Sequence, residues 1–166
     1  MNLLVDPAGI ARWRELRLRC ALGRGGITRG KREGDGATPA GSWPMRRLLY
    51  RADRIKPPQT ALPSSAIRPD DGWCDAPQDA NYNMPVRLPY RDSAESLCRA
   101  DGAYDLIVPL GYNDAPVVSG AGSAIFLHVA RPDFTATEGC VALALADLLT
   151  VLGEADCGSH VIVESA

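Results

Sequence analysis

The sequence predicts a mainly β fold with a few helices and one long Pro-rich loop excursion. Three observations predict it. Residues 13–22 alternate arginine with Leu16, Leu18 and Cys20, the two-residue period of a strand with one buried face. Residues 104–110 and 123–130 are apolar runs of buried-strand length. Helical periodicity is confined to two short stretches, while eight of the sixteen glycines fall before residue 42 and break that region into tight loops.

In chain order, the strand over 13–22 gives way to Gly-rich loops at 23–26 and 30–41. Strand character resumes over 42–51 with Trp43, Met45, Leu48, Leu49 and Tyr50. Between Pro57 and Pro89 lie seven of the thirteen prolines, so residues 52–92 read as an irregular covering loop, the kind that forms lids and binding surfaces. A short helix is expected over 93–100, then the two buried strands. Leu145, Leu148, Leu149 and Leu152 follow i, i+3, i+4, i+7 spacing, an amphipathic helix stopped by Gly153. Residues 160–163 form a last strand. The whole, residues 1–166, reads as a single domain with the 52–92 excursion inside it.

Composition narrows the function classes. With 46% hydrophobic and 23% charged residues, the chain is neither disordered nor fibrous. No apolar run approaches the ~18 residues of a membrane helix, and Asp6 and Pro7 interrupt the start where a signal peptide needs its apolar core. Five cysteines, an odd number without CxxC pairing, suit a reducing compartment. The expectation is a cytoplasmic protein, or a periplasmic one if an export segment has been removed. Residues 1–60 hold 13 Lys/Arg against 5 Asp/Glu, and residues 61–166 hold 5 against 15. This spread is better explained by basic and acidic faces than by a nucleic-acid or membrane partner.

Three motifs mislead. Gly25–Lys31 has P-loop spacing, but Arg32 stands where a Ser or Thr must hold magnesium, and no helix can open after it. Cys157 and His160, with Cys140 and His128, lack the two close-spaced pairs of a structural zinc site. Serine-hydrolase chemistry has no Gly-x-Ser-x-Gly elbow here. No metal or cofactor is called for.

The remaining constellation is His128, alone in the apolar run 124–130, and Thr137-Glu-Gly-Cys140 before the leucine helix. Each residue alone reads as core. Together, a strand that delivers an imidazole and a Gly-Cys turn can place base and thiol side by side, and a cysteine nucleophile needs such a base. The amides of Gly139 and Cys140 can then face an oxyanion. From spacing alone, the Cys–His pair and the core reading stand even.

The surrounding residues break the tie. Gly30-Lys-Arg-Glu-Gly-Asp-Gly-Ala-Thr-Pro-Ala-Gly41, Trp73-Cys-Asp, Tyr82-Asn83, Gly111-Tyr-Asn113, the run from Gly122 to His128, and Thr137-x-Gly-Cys140 occur in that order. In this the sequence resembles the YkuD-type L,D-transpeptidase family of bacterial peptidoglycan enzymes. The resemblance implies a β-sandwich catalytic domain, Cys140 as nucleophile and His128 as its base, oriented by the Val129 carbonyl. It implies a stem peptide or muropeptide as substrate, cleaved between a diamino acid and D-alanine through a Cys140 thioester. Two departures stand out. Glu138 replaces the family's usual histidine before Gly-Cys, and only eleven residues separate His128 from Cys140.

The expected reaction is L,D-carboxypeptidase trimming, as in muropeptide recycling. L,D-transpeptidation is the alternative, and a non-catalytic peptide-binding module is the lesser one. Arg32 (or Arg131) is a candidate for a substrate carboxylate, with Tyr82, Tyr112, Thr137 and Glu138 as further binding candidates. Thr38-Pro39-Ala-Gly41 is expected to be a strand-joining turn.

Overall fold

A computed structural model describes residues 1–165. In chain order the strands are β1 (Asn2–Val5), β2 (Ile10–Trp13), β3 (Leu16–Ala21), β4 (Ile27–Thr28), β5 (Thr38–Pro39), β6 (Gly41–Pro44) and β7 (Leu48–Tyr50). There follow β8 (Ser64–Ala66), β9 (Asp71–Cys74), β10 (Pro85–Arg87), β11 (Ala94–Ser96), β12 (Leu106–Pro109), β13 (Phe126–Val129) and β14 (Val141–Leu143). Helix α1 (Leu145–Glu154) and β15 (His160–Val163) complete the chain.

Ten strands form one curled sheet in the order β6-β15-β1-β2-β3-β14-β13-β12-β7-β8. The curl is closed by residues 41–50. Their first half pairs with β15 and their second half with β12, and a bridge between Met45 and Leu110 marks the corner. Period-two alternation then sorts the side chains. Leu3, Val5, Trp13, Leu127, Val141, Leu143 and Val161, all buried, face the interior of the curl and pack with Leu148, Val151 and Leu152 of α1.

The alternate residues of β12 and β13, Ile107 and Phe126, face outward, where a second core of Trp73, Leu97 and Tyr104 covers them. That cover comes from the 51–105 stretch, whose strands β10-β9-β11 make a separate small sheet. Within the Pro-rich excursion of residues 52–92, β8, β9 and β10 are regular and the remainder is turn and loop.

Three local expectations fail. Residues 93–100 are not helical: β11 pairs antiparallel with β9, Glu95 opposite Trp73, and this pairing overrides the helix propensity of an Ala-Glu-Ser-Leu run. Helix α1 does not stop at Gly153 but continues to Glu154 and ends at Ala155 in an extended conformation. Its buried stripe is Leu148, Val151, Leu152 and Ala155, with Leu145 and Leu149 exposed, so the helix is rotated from the leucine-only phase. Thr38-Pro39 is itself a strand, paired in parallel with β4.

Candidate active site

Adjacent parallel strands β13 and β14 put His128 opposite Ala142. His128 follows Phe126 on the outward face. Cys140, two residues before Ala142, shares that face, while Val141 and Leu143 point into the main core. The imidazole and the thiol are thus diagonal neighbours across two strands that cores pin on both sides.

The turn before Cys140 is fixed by its neighbours. Gly139 has φ +128°, and a Cβ there would lie 2.8 Å from the Ala37 carbonyl oxygen, so only glycine fits. The Thr137 hydroxyl donates to the Cys140 carbonyl at 2.7 Å and accepts the Gly139 N–H at 3.2 Å. The Thr38 hydroxyl donates to the same carbonyl at 3.4 Å and accepts the Gly23 N–H at 2.8 Å. The Gly139 amide proposed for an oxyanion is thus occupied by Thr137 in this resting arrangement.

Cys140 Sγ accepts the Phe126 N–H at 3.3 Å and donates to the Ala124 carbonyl at 3.2 Å. Ala124 holds a left-handed conformation, φ 53°, and its N–H donates to Asn83 Oδ1 at 3.0 Å. Asn83 Oδ1 also accepts Trp73 Nε1 at 2.9 Å, and its amide nitrogen donates to the Tyr112 and Asn113 carbonyls. The Tyr82-Asn83 and Gly111-Tyr-Asn113 pieces therefore act as a frame behind the Cys140 thiol.

His128 Nδ1 meets the Val129 carbonyl at 2.9 Å. With the proton on Nδ1, Nε2 is left as the acceptor. The ring packs edge-on against Tyr104 with centroids 5.3 Å apart. Burial pushes the His128 pKa down to about 4. Burial, with a smaller contribution from the charge of Glu95, pushes the Cys140 thiol up to about 12. Both groups are neutral at pH 7, a thiol and a free base rather than a preformed ion pair.

Cys140, His128, Thr137 and Glu138 line one cavity of about 400 Å³, and Arg131 lies on its wall, paired with Asp101 at 3.1 Å. Glu138 is exposed, and its two carboxylate oxygens share the Arg24 Nε–H, at 3.0 and 2.9 Å. The structure does not bring the other candidates to this cavity. Arg32 is exposed, with its N–H on Asp35 at 2.8 Å. Tyr112 packs on Trp43 and donates to the Ala121 carbonyl at 2.6 Å. Buried Tyr82 sits behind the wall, donating to Glu33 and accepting the Gly122 N–H at 2.9 Å.

Sequence reasoning missed Glu33, Asp75, Glu95, Arg99 and Tyr104, which line the same cavity. Glu33 and Asp75 stand inside the motifs already quoted, so a signal existed. Glu95 was hidden by the wrong helical assignment of 93–100. Among the described residues no three His, Cys, Asp or Glu side chains come together as a metal site needs. Lys31, the P-loop-like lysine, is instead an internal tie, its ammonium bound to Asp35 within its own loop. No helix among the described residues is long and apolar enough to cross a membrane.

The family model described as YkuD, L,D-transpeptidase catalytic domain, matches residues 5–163. No curated protein matches the chain. Among solved structures, the chain is similar to Mycobacterium tuberculosis L,D-transpeptidase 1, at 12% identity and a TM-score of 0.43, over 97% of this chain and 59% of that one. It is also similar to an L,D-transpeptidase from Mycobacterium smegmatis, at 10% identity and a TM-score of 0.46, over 99% of this chain and 58% of that one. The chain thus spans less than two thirds of the length of the structures it matches.

Proposed function

Because the chain belongs to the YkuD family of L,D-transpeptidase catalytic domains, matched from residue 5 to residue 163, we propose that it is a cysteine acyl-transfer enzyme acting on peptidoglycan stem peptides. The observation that carries this reading is the placement of Cys140 and His128 on one face of adjacent strands, at the wall of a single cavity. A stem tetrapeptide enters with the carbonyl before its terminal D-alanine at Sγ. Neutral His128 accepts the thiol proton through Nε2 as the S–C bond forms. The carbonyl carbon becomes tetrahedral, and the C–N bond then breaks. D-alanine leaves with the proton returned by the imidazolium, and a Cys140 thioester remains. Water, activated by the same imidazole, then releases the shortened peptide and restores the thiol.

Hydrolysis is the proposed outcome. Water at ~55 M outcompetes a dilute amine unless a site orients that amine, and a cavity of about 400 Å³ has the volume of a few residues, suited to one peptide tail. Incubation with a diaminopimelate-containing tetrapeptide, with and without excess D-amino acid or acceptor stem, is read by mass. Tripeptide as the main product is expected. Exchanged or dimeric peptide at low acceptor concentration would assign transpeptidation instead, and no turnover of any stem would remove the enzyme reading.

A further inference from the structure

A second cavity, of about 470 Å³, lies behind the Asn83 frame, and none of its lining residues lines the cavity of Cys140. Asn83 is the partition. It lines this second cavity, while Ala124, whose N–H its Oδ1 accepts, lines the first. The walls are mostly apolar: Trp73 of β9, Met84 and Pro85 where β10 begins, Leu110 just past β12 and Val117 from the loop that follows. Met84 and Val117 are among the few large apolar side chains that the protein leaves exposed. Gathered at one concavity, they hold water against surface that an apolar ligand would cover. The polar groups set the rest of the ligand's chemistry. The Asn83 amide nitrogen is engaged by the Tyr112 and Asn113 carbonyls, and its oxygen by Trp73 Nε1 and the Ala124 N–H. Arg46 and Arg47 reach the cavity because buried Met45 and Leu48 anchor the corner on either side of them. Arg46 forks onto Asp114, Nε to Oδ2 at 2.9 Å and Nη2 to Oδ1 at 3.0 Å, and Asp114 is the one carboxylate in the lining. Arg47, half-buried, has no side-chain hydrogen bond or ion pair among the described residues.

The cavity therefore holds one unmatched positive charge beside an apolar wall. A guanidinium presents parallel N–H donors that fit the two oxygens of a carboxylate. Arg99 and Arg131, which line the Cys140 cavity, are by contrast both held by Asp101. The wall suits a ring better than a flexible chain. Trp73 offers an indole and Met84 a thioether, and both pack favourably on aromatic faces and edges. A volume of about 470 Å³ is that of a small-molecule site. We propose that this cavity is a second binding site, for a small aromatic carboxylate, with the ring against Trp73, Met84 and Val117 and the carboxylate on Arg47. The site uses neither Cys140 nor His128, so the inference goes beyond the acyl-transfer reading without resting on it.

The probe is naphthoate, titrated calorimetrically into the full chain beside its neutral counterpart naphthylmethanol and the aliphatic octanoate. Naphthoate should bind with a Kd below about 1 mM. The alcohol, which cannot make the charge-assisted pair, should bind at least about 10-fold more weakly. Arg47→Gln should bring naphthoate down to the level of the alcohol and leave the alcohol within about twofold. Val117→Trp, which narrows the mouth, should weaken both. Circular dichroism confirms that each variant is folded, and an unfolded Arg47→Gln leaves Val117→Trp and the charged-to-neutral ratio to decide. Hydrogen exchange with saturating naphthoate should slow over residues 83–87 and 110–118 and stay unchanged over 133–142. Absence of naphthoate binding, equal affinity for the alcohol, tighter binding of octanoate, or an affinity unmoved by Arg47→Gln would each overturn the proposal. Protection over 133–142 in place of 83–87 would put the ligand in the Cys140 cavity and overturn it as well. Stem-peptide turnover is a separate measurement, so the acyl-transfer reading can fail while this site stands.

Discussion

Burial makes His128 and Cys140 an uncharged pair, and this sets how the protein responds to pH. As the proposed base, His128 works only when neutral, so the acid limb of kcat/KM should follow it. Its pKa of about 4 predicts activity retained at roughly pH 5, where an ordinary histidine near ~6.5 would be almost fully protonated. An acid limb near pH 6.5 in a stem-peptide assay would contradict that. The same shift links to stability. Between pH 6.5 and 4 the unfolded chain takes up a proton at residue 128 that the native protein does not, so stability falls as pH drops through this window, by at most about 3 kcal/mol. Glu95, pushed up by burial, acts in the opposite sense, since its native form holds a proton more readily than the unfolded chain does. Urea unfolding at pH 7 and 4.5 should show a smaller acid loss in His128→Gln than in the parent. The thiol, buried and held up to about 12, should react slowly with iodoacetamide, and exposed Cys157 should be labelled first. A substrate-shaped electrophile reverses that order, with one adduct on Cys140 that Cys140→Ala loses. Adducts on both proteins would remove the nucleophile assignment.

The elements test how local pattern and tertiary pairing divide the work. Leu148 is fully buried and Leu149 is 36% exposed, so Leu148→Ala should cost about 2–5 kcal/mol and Leu149→Ala about 0.5 kcal/mol. Similar losses in denaturant midpoints would mean that the helix sits in the other phase. Asn83→Ala strips the acceptor from the Trp73 and Ala124 N–H groups. A loss of about 2–4 kcal/mol is expected, with slower acylation of Cys140 even where the protein stays folded. Activity and stability both within error of the parent would mean that the frame does not hold the nucleophile. Strands with clean alternation or continuous apolar runs, such as 160–163 and the His128 segment, were legible because burial alone specifies them. Residues 93–100 were not, because β11 exists only through its pairing with β9, which lies twenty residues earlier. The helix phase was misread for a related reason: Val151 and Ala155 bury as well as leucine does once the sheet is in place. At the site, the placement of the Cys140 thiol and the His128 imidazole on one cavity wall was legible through their motif. The acidic wall was not, since Glu33, Asp75 and Glu95 are far apart in sequence and only the fold assembles them.

At the scale of the molecule, the protein is a closed sheet carrying its chemistry outward, with a cover laid over that chemistry. The two layers differ in how firmly they are held. Strands β12 to β14 are pinned by cores on both faces, whereas β9 to β11 pair only with one another. Hydrogen exchange should therefore release the amides of 71–74 and 85–96 well before those of 126–129 and 141–143. The reverse order would mean that the cover is the more stable unit. The cover segment also begins and ends at one place, although its β8 pairs with β7 at the edge of the sheet. The Arg51 N–H meets the Asp105 carbonyl at 2.9 Å, and Tyr50 stands beside Leu106 on paired strands. Everything between is, in topological terms, the contents of a single hairpin loop. A segment with adjoining ends can be exchanged by recombination as one cassette, which carries the edge strand β8 with it and rethreads no interior strand of the frame. Asp75 and Glu95 travel with that cassette and His128 and Cys140 do not, so relatives could acquire a different cavity lining by inheriting a different cover over the same Cys–His pair.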